Sequence, residues 1–544
     1  MNPNSADALI HPVDPDFVEY LRDESRLAGE AESISIPTSE SHVRDILRLL
    51  AQRGTPVTVQ SGRTGISAGA VPRGGHILNL SRMNRFLGLR YDRDGDRYLL
   101  RLQPGVLLSQ INEAVASGEF GEQEWNPDSL QALEHFRNGR RYFFPPDPTE
   151  TSAAIGGMCA SNASGARSFF YGPTRRYIES LRLVLEDGSV VQPERGLQRA
   201  EGLVFQLQTE DGRLLKGTLP SYRMPATKNT AGLFARPDMD LIDLVIGSEG
   251  VLGILTEIEI VLIPLPEAVS GVMGFFPETS GALRFVRLVR GDAFENAGSV
   301  NTAAGSGTDM QKPAAIEFFD GNSLELLRGQ KRNNPAFSEL PEVPENIAAA
   351  VYVEYHGPDA DSVEQRIFAL AEILEQCGGD GDATWLAEQP KELVRLKDFR
   401  HALPEAINLL IDERRKDEPG LIKLGTDMAV PDEALERIYK LYVGDLKASG
   451  LEYVLFGHIG NNHIHVNILP HTAEHYERGT RLYLEWAQQV VSMGGTVSAE
   501  HGIGKLKTEL LRRMYGENGV EQMRRVIAVF SPDGRLNRGN IVGG

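Results

Sequence analysis

Cysteine is almost missing from this chain: its 544 residues include only Cys159 and Cys377. Neither belongs to a CxxC pair, which excludes an iron–sulfur cluster, a cysteine-rich zinc site and a haem-attachment motif, and two thiols make no disulfide framework. Long apolar runs are missing as well. The strongest candidate, LVIGSEGVLGILTEIEIVLIPLP (244–266), is broken by acids and prolines and falls short of the ~18 apolar residues of a membrane span. The opening residues, MNPNSADALIHPVDPDF, lack the basic and apolar regions of a secretory signal. Basic residues are in deficit, 56 Lys and Arg against 75 Asp and Glu, for a net charge of −19. Such a field repels phosphate backbones, so no nucleic-acid partner is expected. A local group of Arg and Lys still allows an anionic small molecule. The expected location is the cytoplasm, with peripheral contact to a membrane left open.

What remains is a chain long enough for two or three hydrophobic cores. Residues 1–35 read as a leading helix, FVEYLRDESRLAG, and a linker. Residues 36–265 alternate short apolar runs with Gly-, Pro- and Asn-rich turns. PVTVQ, HILNL, YLLRLQPG, LRLVLEDGSVV and ILTEIEIVLIPL are expected strands, and SHVRDILRLLAQRG is an expected helix stopped by Gly54. Residues 266–499 change to strand–helix alternation through GVMGFFP, SGALRFVRLVRG, AAIEFFD, AAVYVEYHG and DSVEQRIFALAEILEQCGG, the texture of a second, α+β domain. Residues 500–544 hold two helical stretches, KLKTELLRRMYG and VEQMRRVIAVF. Segments 120–143 and 327–347 show no clear period and read as insertions. The fold class expected overall is α+β.

Glycine, 56 residues in all, is clustered. PVTVQSGRTGISAGAVP (56–72) runs from a strand into a loop of small residues, where consecutive backbone N–H groups can approach an anion. The spacing is neither GxGxxG before a helix nor GxxxxGK[ST], so Rossmann and P-loop readings fail. Two further small-residue segments follow, in 145–188 and in IGSEGVLGILTE (246–257). Any one of them can be an ordinary tight turn; three in one domain favour a large ligand with a pyrophosphate.

Histidine is clustered too, with six of twelve between 458 and 501. In GHIGNNHIHVNILP (457–470), Ile464, Val466 and Ile468 alternate with His463, His465 and Asn467, as on a strand with an apolar back and a polar front. His458 and His465 are seven apart, roughly 23 Å if extended, so two ligands on one ion require a tight turn between them. Gly460-Asn461-Asn462 supplies turn chemistry there. In SAEHGIGK (498–505), Gly502 and Gly504 allow an irregular turn that brings Glu500 and His501 to one site. Two imidazoles and a carboxylate suit a divalent metal with open positions; from the residues alone, satisfied core or surface histidines remain the alternative.

The succession V-x-V-x-S-G-R-T-G-I-S-A-G-A-V-P, A-A-I-G-G-x-x-A-S-N-A-S-G-A-R-x-x-x-Y-G and G-S-E-G-V-L-G-I-L-T-E resembles the FAD-binding domain of the vanillyl-alcohol oxidase / p-cresol methylhydroxylase superfamily. The later motifs resemble its D-2-hydroxy-acid dehydrogenase branch, which includes D-lactate, D-2-hydroxyglutarate and glycolate dehydrogenases. The resemblance spans roughly 35–265 and 390–544. It implies a two-subdomain FAD-binding domain, an α+β substrate (cap) domain and a C-terminal helical segment returning to the FAD domain. It places Ser61, Gly62, Arg63, Thr64, Gly65, Ile66 and Ser67 on the FAD pyrophosphate. Pro145, Asp147, Ser152, Gly156, Gly157, Ser161, Asn162, Gly165 and Ala166 fall around the isoalloxazine and ribityl chain, and Glu249, Gly250 and Ile254 around the adenine half. Some relatives attach FAD through a His in the first loop; Arg63-Thr64-Gly65 has none, so non-covalent FAD is expected. Arg63 either pairs with the pyrophosphate or is a solvated loop charge.

The same resemblance makes His458, His465 and Glu500 the metal ligands, with Zn the first expectation and Mn or Fe next. It makes His501 the general base, and Asn467, Arg400 and Lys423 the substrate contacts. His463 departs from the pattern, which usually has Asn there; it is an extra ligand, an outer neighbour of the metal, or a bystander. Asn540 stands where the terminal motif usually has Lys. The activity implied is oxidation of a small D-2-hydroxy acid to the 2-oxo acid, with hydride passing to flavin N5. An external acceptor (quinone, cytochrome or electron-transfer flavoprotein) is then needed, because the chain has no redox centre of its own beyond the flavin. A homodimer is compatible with all of this. The alternatives are a non-redox flavin enzyme of the alkyl-dihydroxyacetone-phosphate synthase type, a non-catalytic flavin-binding subunit, and a metal-dependent hydrolase with incidental glycine loops.

Overall fold

The computed structural model describes residues 7–122, 124–291 and 312–543; residues 1–6 of the expected leading element and 292–311 of the expected second domain lie outside them. The chain folds as α+β. The first domain begins with a small sheet in which Ser33–Ser35, His76–Asn79 and Val57–Gln60 run parallel, with His11–Pro12 added antiparallel at the edge. Helix Glu40–Gln52 covers it, burying Val43, Ile46, Leu47 and Leu50 at helical spacing. Ser39 caps its start, accepting from the His42 N–H, and Gly54 with φ +64° ends it. A second sheet pairs Phe86–Asp92, Arg97–Leu102, Ile254–Pro264, Ile178–Val184 and Val190–Val191 in that order, all antiparallel. The strands expected in this half are all present.

The second domain is a seven-stranded antiparallel sheet. Its order is Trp385–Ala387, Ala268–Phe276, Ala349–Gly357, Ala315–Asp320, Tyr453–His458, His463–Ile468 and Leu424–Gly425. The chain then returns. Leu536 bridges Val57, whose N–H donates to Arg535 O, and Lys505 N donates to Ser67 O. Residues 500–543 thereby clamp the first glycine loop from the far end of the sequence.

One expectation needs correction, and two segments without a clear period prove to carry helix. The leading helix is only a 3-10 stretch, Pro15–Leu21. Beyond it Arg22 is extended and buried Asp23 accepts from Ser25 N and Ala70 N, so the segment is tied to the glycine loop instead of continuing as a helix. Segment 120–143 contains helix Pro127–Asn138, whose apolar signal is weak because Leu130 is exposed and chiefly Leu133 and Phe136 carry the packing. Segment 327–347 is partly the end of helix Gly321–Asn333; Lys331 donates to Ser338 O and Leu340 O and holds the following turn. No helix among the described residues is long and apolar enough to cross a membrane.

Candidate active site

A cleft of about 360 Å³ is lined by the three glycine-rich segments together with His458, Glu500 and His501. Ser61, Gly62, Arg63, Thr64, Gly65, Ile66, Ser67, Gly156, Gly157, Ser161, Gly165, Glu249 and Gly250 all line it. The glycines do two different jobs. A Cβ on Gly156 would lie 2.6 Å from Pro104 Cβ, and one on Gly165 would lie 2.0 Å from Asp147 O, so these residues let chain segments touch. Gly65 and Gly157 would meet nothing within 4 Å, so their missing side chains leave the cleft itself open. Pro145, Asp147, Asn162, Ala166 and Ile254 do not line the cleft, and Ser152 lies at an exposed turn. Asp147 accepts from Arg167 N, and burial pushes its carboxyl up to about 6.

Arg63 adopts φ +58°, and its guanidinium lies 4.4 Å over the Tyr20 ring and donates to Glu19 O. The loop backbone faces the cleft while the charge is held on the N-terminal segment. Glu249 spends its carboxylate on the turn after His501, accepting from Ile503 N at 2.6 Å and Gly504 N at 2.7 Å. Asn540 donates to Gly69 O and accepts from Lys505 Nζ at 2.7 Å. Burial pulls Lys505 down to about 8.

At the other end, strands Tyr453–His458 and His463–Ile468 form a hairpin that pairs His458 with His463. Its turn is the 3-10 stretch Ile459–Asn461, closed by Asn462 at φ +52°. This is the tight turn that the seven-residue spacing requires. His458, His463, His465 and Glu500 each offer one ligand atom, all within 4.8 Å of one another. Ligands about 2.1 Å from one ion span at most about 4.2 Å, so small side-chain rotations close the set.

The neighbours decide which nitrogens face inward. His465 Nδ1 contacts Thr426 O at 3.0 Å; a carbonyl only accepts, so Nδ1 carries the proton and Nε2 is bare. His458 Nδ1 contacts Glu317 Oε1 at 2.7 Å, while its Nε2 stands 3.2 Å from Glu500 Oε2. Burial alone would depress His458, but Glu317 and Glu500 on either side outweigh it and hold the imidazole at about 9. An arrangement that draws a proton between those two groups also suits a divalent cation. Burial lowers His465 well below its ordinary value and His463 to about 4, leaving both neutral as ligands must be. Glu500 Oε1 is occupied by Lys228 Nζ at 2.7 Å and Ser164 Oγ at 3.1 Å, which leaves Oε2 facing the histidines. Burial would raise this carboxyl, yet Lys228 and His458 keep it well below the usual range. The donor set fits a divalent metal.

Residues 288–541 match the family of FAD linked oxidases, C-terminal domain, and residues 31–123 and 129–193 match the FAD binding domain. The chain belongs to the FAD-linked oxidases. It is 26% identical to a D-lactate dehydrogenase of Anaerostipes hadrus, over 96% of this chain and 92% of that one. It is also 26% identical to the mitochondrial D-2-hydroxyglutarate dehydrogenase of Bos taurus, over 96% and 79%. Among solved structures it resembles 4-ethylphenol oxidase from Gulosibacter chungangensis, with a TM-score of 0.61 at 17% identity, covering 98% of this chain and 94% of that one. That likeness shows the fold.

Within this FAD-linked oxidase none of the expected substrate contacts lines the cleft, although Asn467 and Arg400 adjoin its histidine end. Asn467 shares the His465 face of the hairpin and is 5% exposed. Arg400 is half-buried, 3.8 Å from Glu317 Oε2, with its guanidinium 5.5 Å from the centre of the Tyr352 ring. Lys423 donates to Asn408 Oδ1 at 2.9 Å. Sequence reasoning missed Lys228, Glu317 and Asp427. Asp427, 2% exposed, sits with Oδ1 3.0 Å from His463 Nε2 and 3.2 Å from His501 Nδ1, and its Oδ2 accepts from Lys507 Nζ at 2.6 Å. One signal was present. A lone acid inside an apolar strand, as in AAIEFFD, is buried only where a partner compensates it.

Proposed function

We propose that this FAD-linked oxidase oxidises a D-2-hydroxy acid of the D-lactate or D-2-hydroxyglutarate type to the 2-oxo acid. The observation that carries the reading is the continuity of one cleft wall, from Ser61–Ser67 and Gly156–Gly157 through to His458, Glu500 and His501. Non-covalent FAD, held by the loops, supplies the two-electron acceptor, and a divalent ion on His458, His465 and Glu500 supplies the Lewis acid. Everything else falls to side chains. His501 is the base for the hydroxyl proton: its side chain is 34% exposed at the cleft, with Nδ1 toward Asp427 and Nε2 left to work. Its backbone N–H also donates to Asp427 Oδ2 at 3.1 Å, which fixes the residue at two points. Arg400 and Lys423 are the proposed cations for the substrate carboxylate, and Asn467 a further contact beside His465. Electrons then leave to an external quinone, cytochrome or electron-transfer flavoprotein.

The test is anaerobic bleaching of the flavin absorbance by a panel of D- and L-2-hydroxy acids, before and after chelation. Bleaching by one D-acid, lost with EDTA and restored by a divalent metal, is the expected result. Bound flavin that no 2-hydroxy acid bleaches would overturn the reading.

A further inference from the structure

His463 is 0% exposed, and its two ring nitrogens lack a well-aligned hydrogen bond among the described residues. Leaving a buried polar atom without a partner is costly, so its surroundings must offer something else. Nε2 lies 3.0 Å from Asp427 Oδ1, and Nδ1 faces Glu500 Oε2 at 3.8 Å. Asp427 only accepts, since Lys507 and Ser498 donate to its other oxygen. The proton of the neutral ring therefore belongs on Nε2, and Nδ1 presents a lone pair to the space that His458 and His465 also face. The ring centre is 4.2 Å from that of His465 and 5.5 Å from that of His458.

We propose that His463 is a third imidazole ligand of the metal, bound through Nδ1, with Asp427 holding its Nε2–H. The assignment rests on the metal site of the proposed function. It makes the donor set three neutral imidazoles and one carboxylate, and that nitrogen-rich set disfavours Mg and Ca. Four protein ligands around a tetrahedral ion would close it. A site that also takes two oxygens from a hydroxy acid must reach six-coordination, which shifts the choice from Zn toward Mn or Fe. Asp427 Oδ1 is shared between His463 and His501, so one buried carboxylate orients both a ligand and the proposed base.

The test uses flavin-loaded protein carrying ¹⁵N-labelled histidine, stripped of metal and reloaded with Mn(II). Pulsed EPR counts the imidazole nitrogens on the ion, and equilibrium titration gives its affinity. Three couplings are expected in the wild type and two in His463→Asn, with Mn(II) binding weakened about 10- to 100-fold. Asp427→Asn is expected to keep three couplings and weaken binding about tenfold. Two couplings in the wild type would overturn the assignment and leave the three-ligand site intact. No stoichiometric Mn(II) in the wild type would remove the metal site and this inference together. The wild-type count decides the question even if a variant fails to fold.

Discussion

Along residues 61–69 and 153–165 the cleft is walled by backbone and small side chains, whereas at its other end Glu500, Glu317, Asp427, Lys228 and the histidines meet with little exposure. The first end offers shape and peptide dipoles, so it should tolerate losing side chains and fail when one is added. The second is held together by charge in a low-dielectric setting, so it should fail when one partner is taken away and another is left uncompensated. Opposite substitutions should therefore separate binding from chemistry.

The largest effect is expected at the charged end. His465→Ala removes a bare nitrogen and should slow anaerobic bleaching by about three orders of magnitude, equivalent to about 4 kcal/mol, with flavin content unchanged. If flavin is lost in parallel, the two ends are not separate.

Adding side chains should produce the reverse. Gly157→Val places its Cβ where nothing lies within 4 Å, so the protein should keep its melting temperature while flavin affinity falls by at least about tenfold, read from the flavin-to-protein absorbance ratio. Gly156→Val, whose Cβ would meet Pro104 Cβ at 2.6 Å, should instead cost folding, by about 1–3 kcal/mol or more. Equal outcomes for the two neighbours would erase the distinction between glycines that open the cleft and glycines that let segments touch.

The smallest effect concerns Lys505, a buried cation at the glycine end. Burial holds Lys505 at about 8, against about 10.4 in an unfolded chain. Between those values the unfolded state binds more protons. Stability of the flavin-free protein should therefore rise with pH across that window, by at most about 1.4 kcal/mol per pH unit. Lys505→Met should remove that part of the slope in a comparison of denaturant midpoints. An unchanged slope would mean that Lys505 is not the source.

The legible parts of this protein were those whose geometry is local. Small residues after PVTVQ announce a loop whose backbone is open to a ligand, because the absence of side chains is itself the device. Alternation in HIHVNI, with turn residues before it, announces a hairpin that presents histidines, because strand period and turn chemistry act over a few residues. The helix within 120–143 escaped because only a short apolar stripe carries it.

The partners that make the site work came from elsewhere. Glu317 precedes His458 by 141 positions, Lys228 precedes Glu500 by 272, and Asp427 precedes His501 by 74. Composition and motif order determined an FAD-binding fold and a His/Glu site, since each is written in short contiguous segments. Tertiary structure alone decided which imidazole nitrogen is bare, which Glu500 oxygen is free, and that His463 joins the cluster. Those outcomes depend on what each polar atom finds when water is removed, and burial brings together donors and acceptors that no local pattern relates.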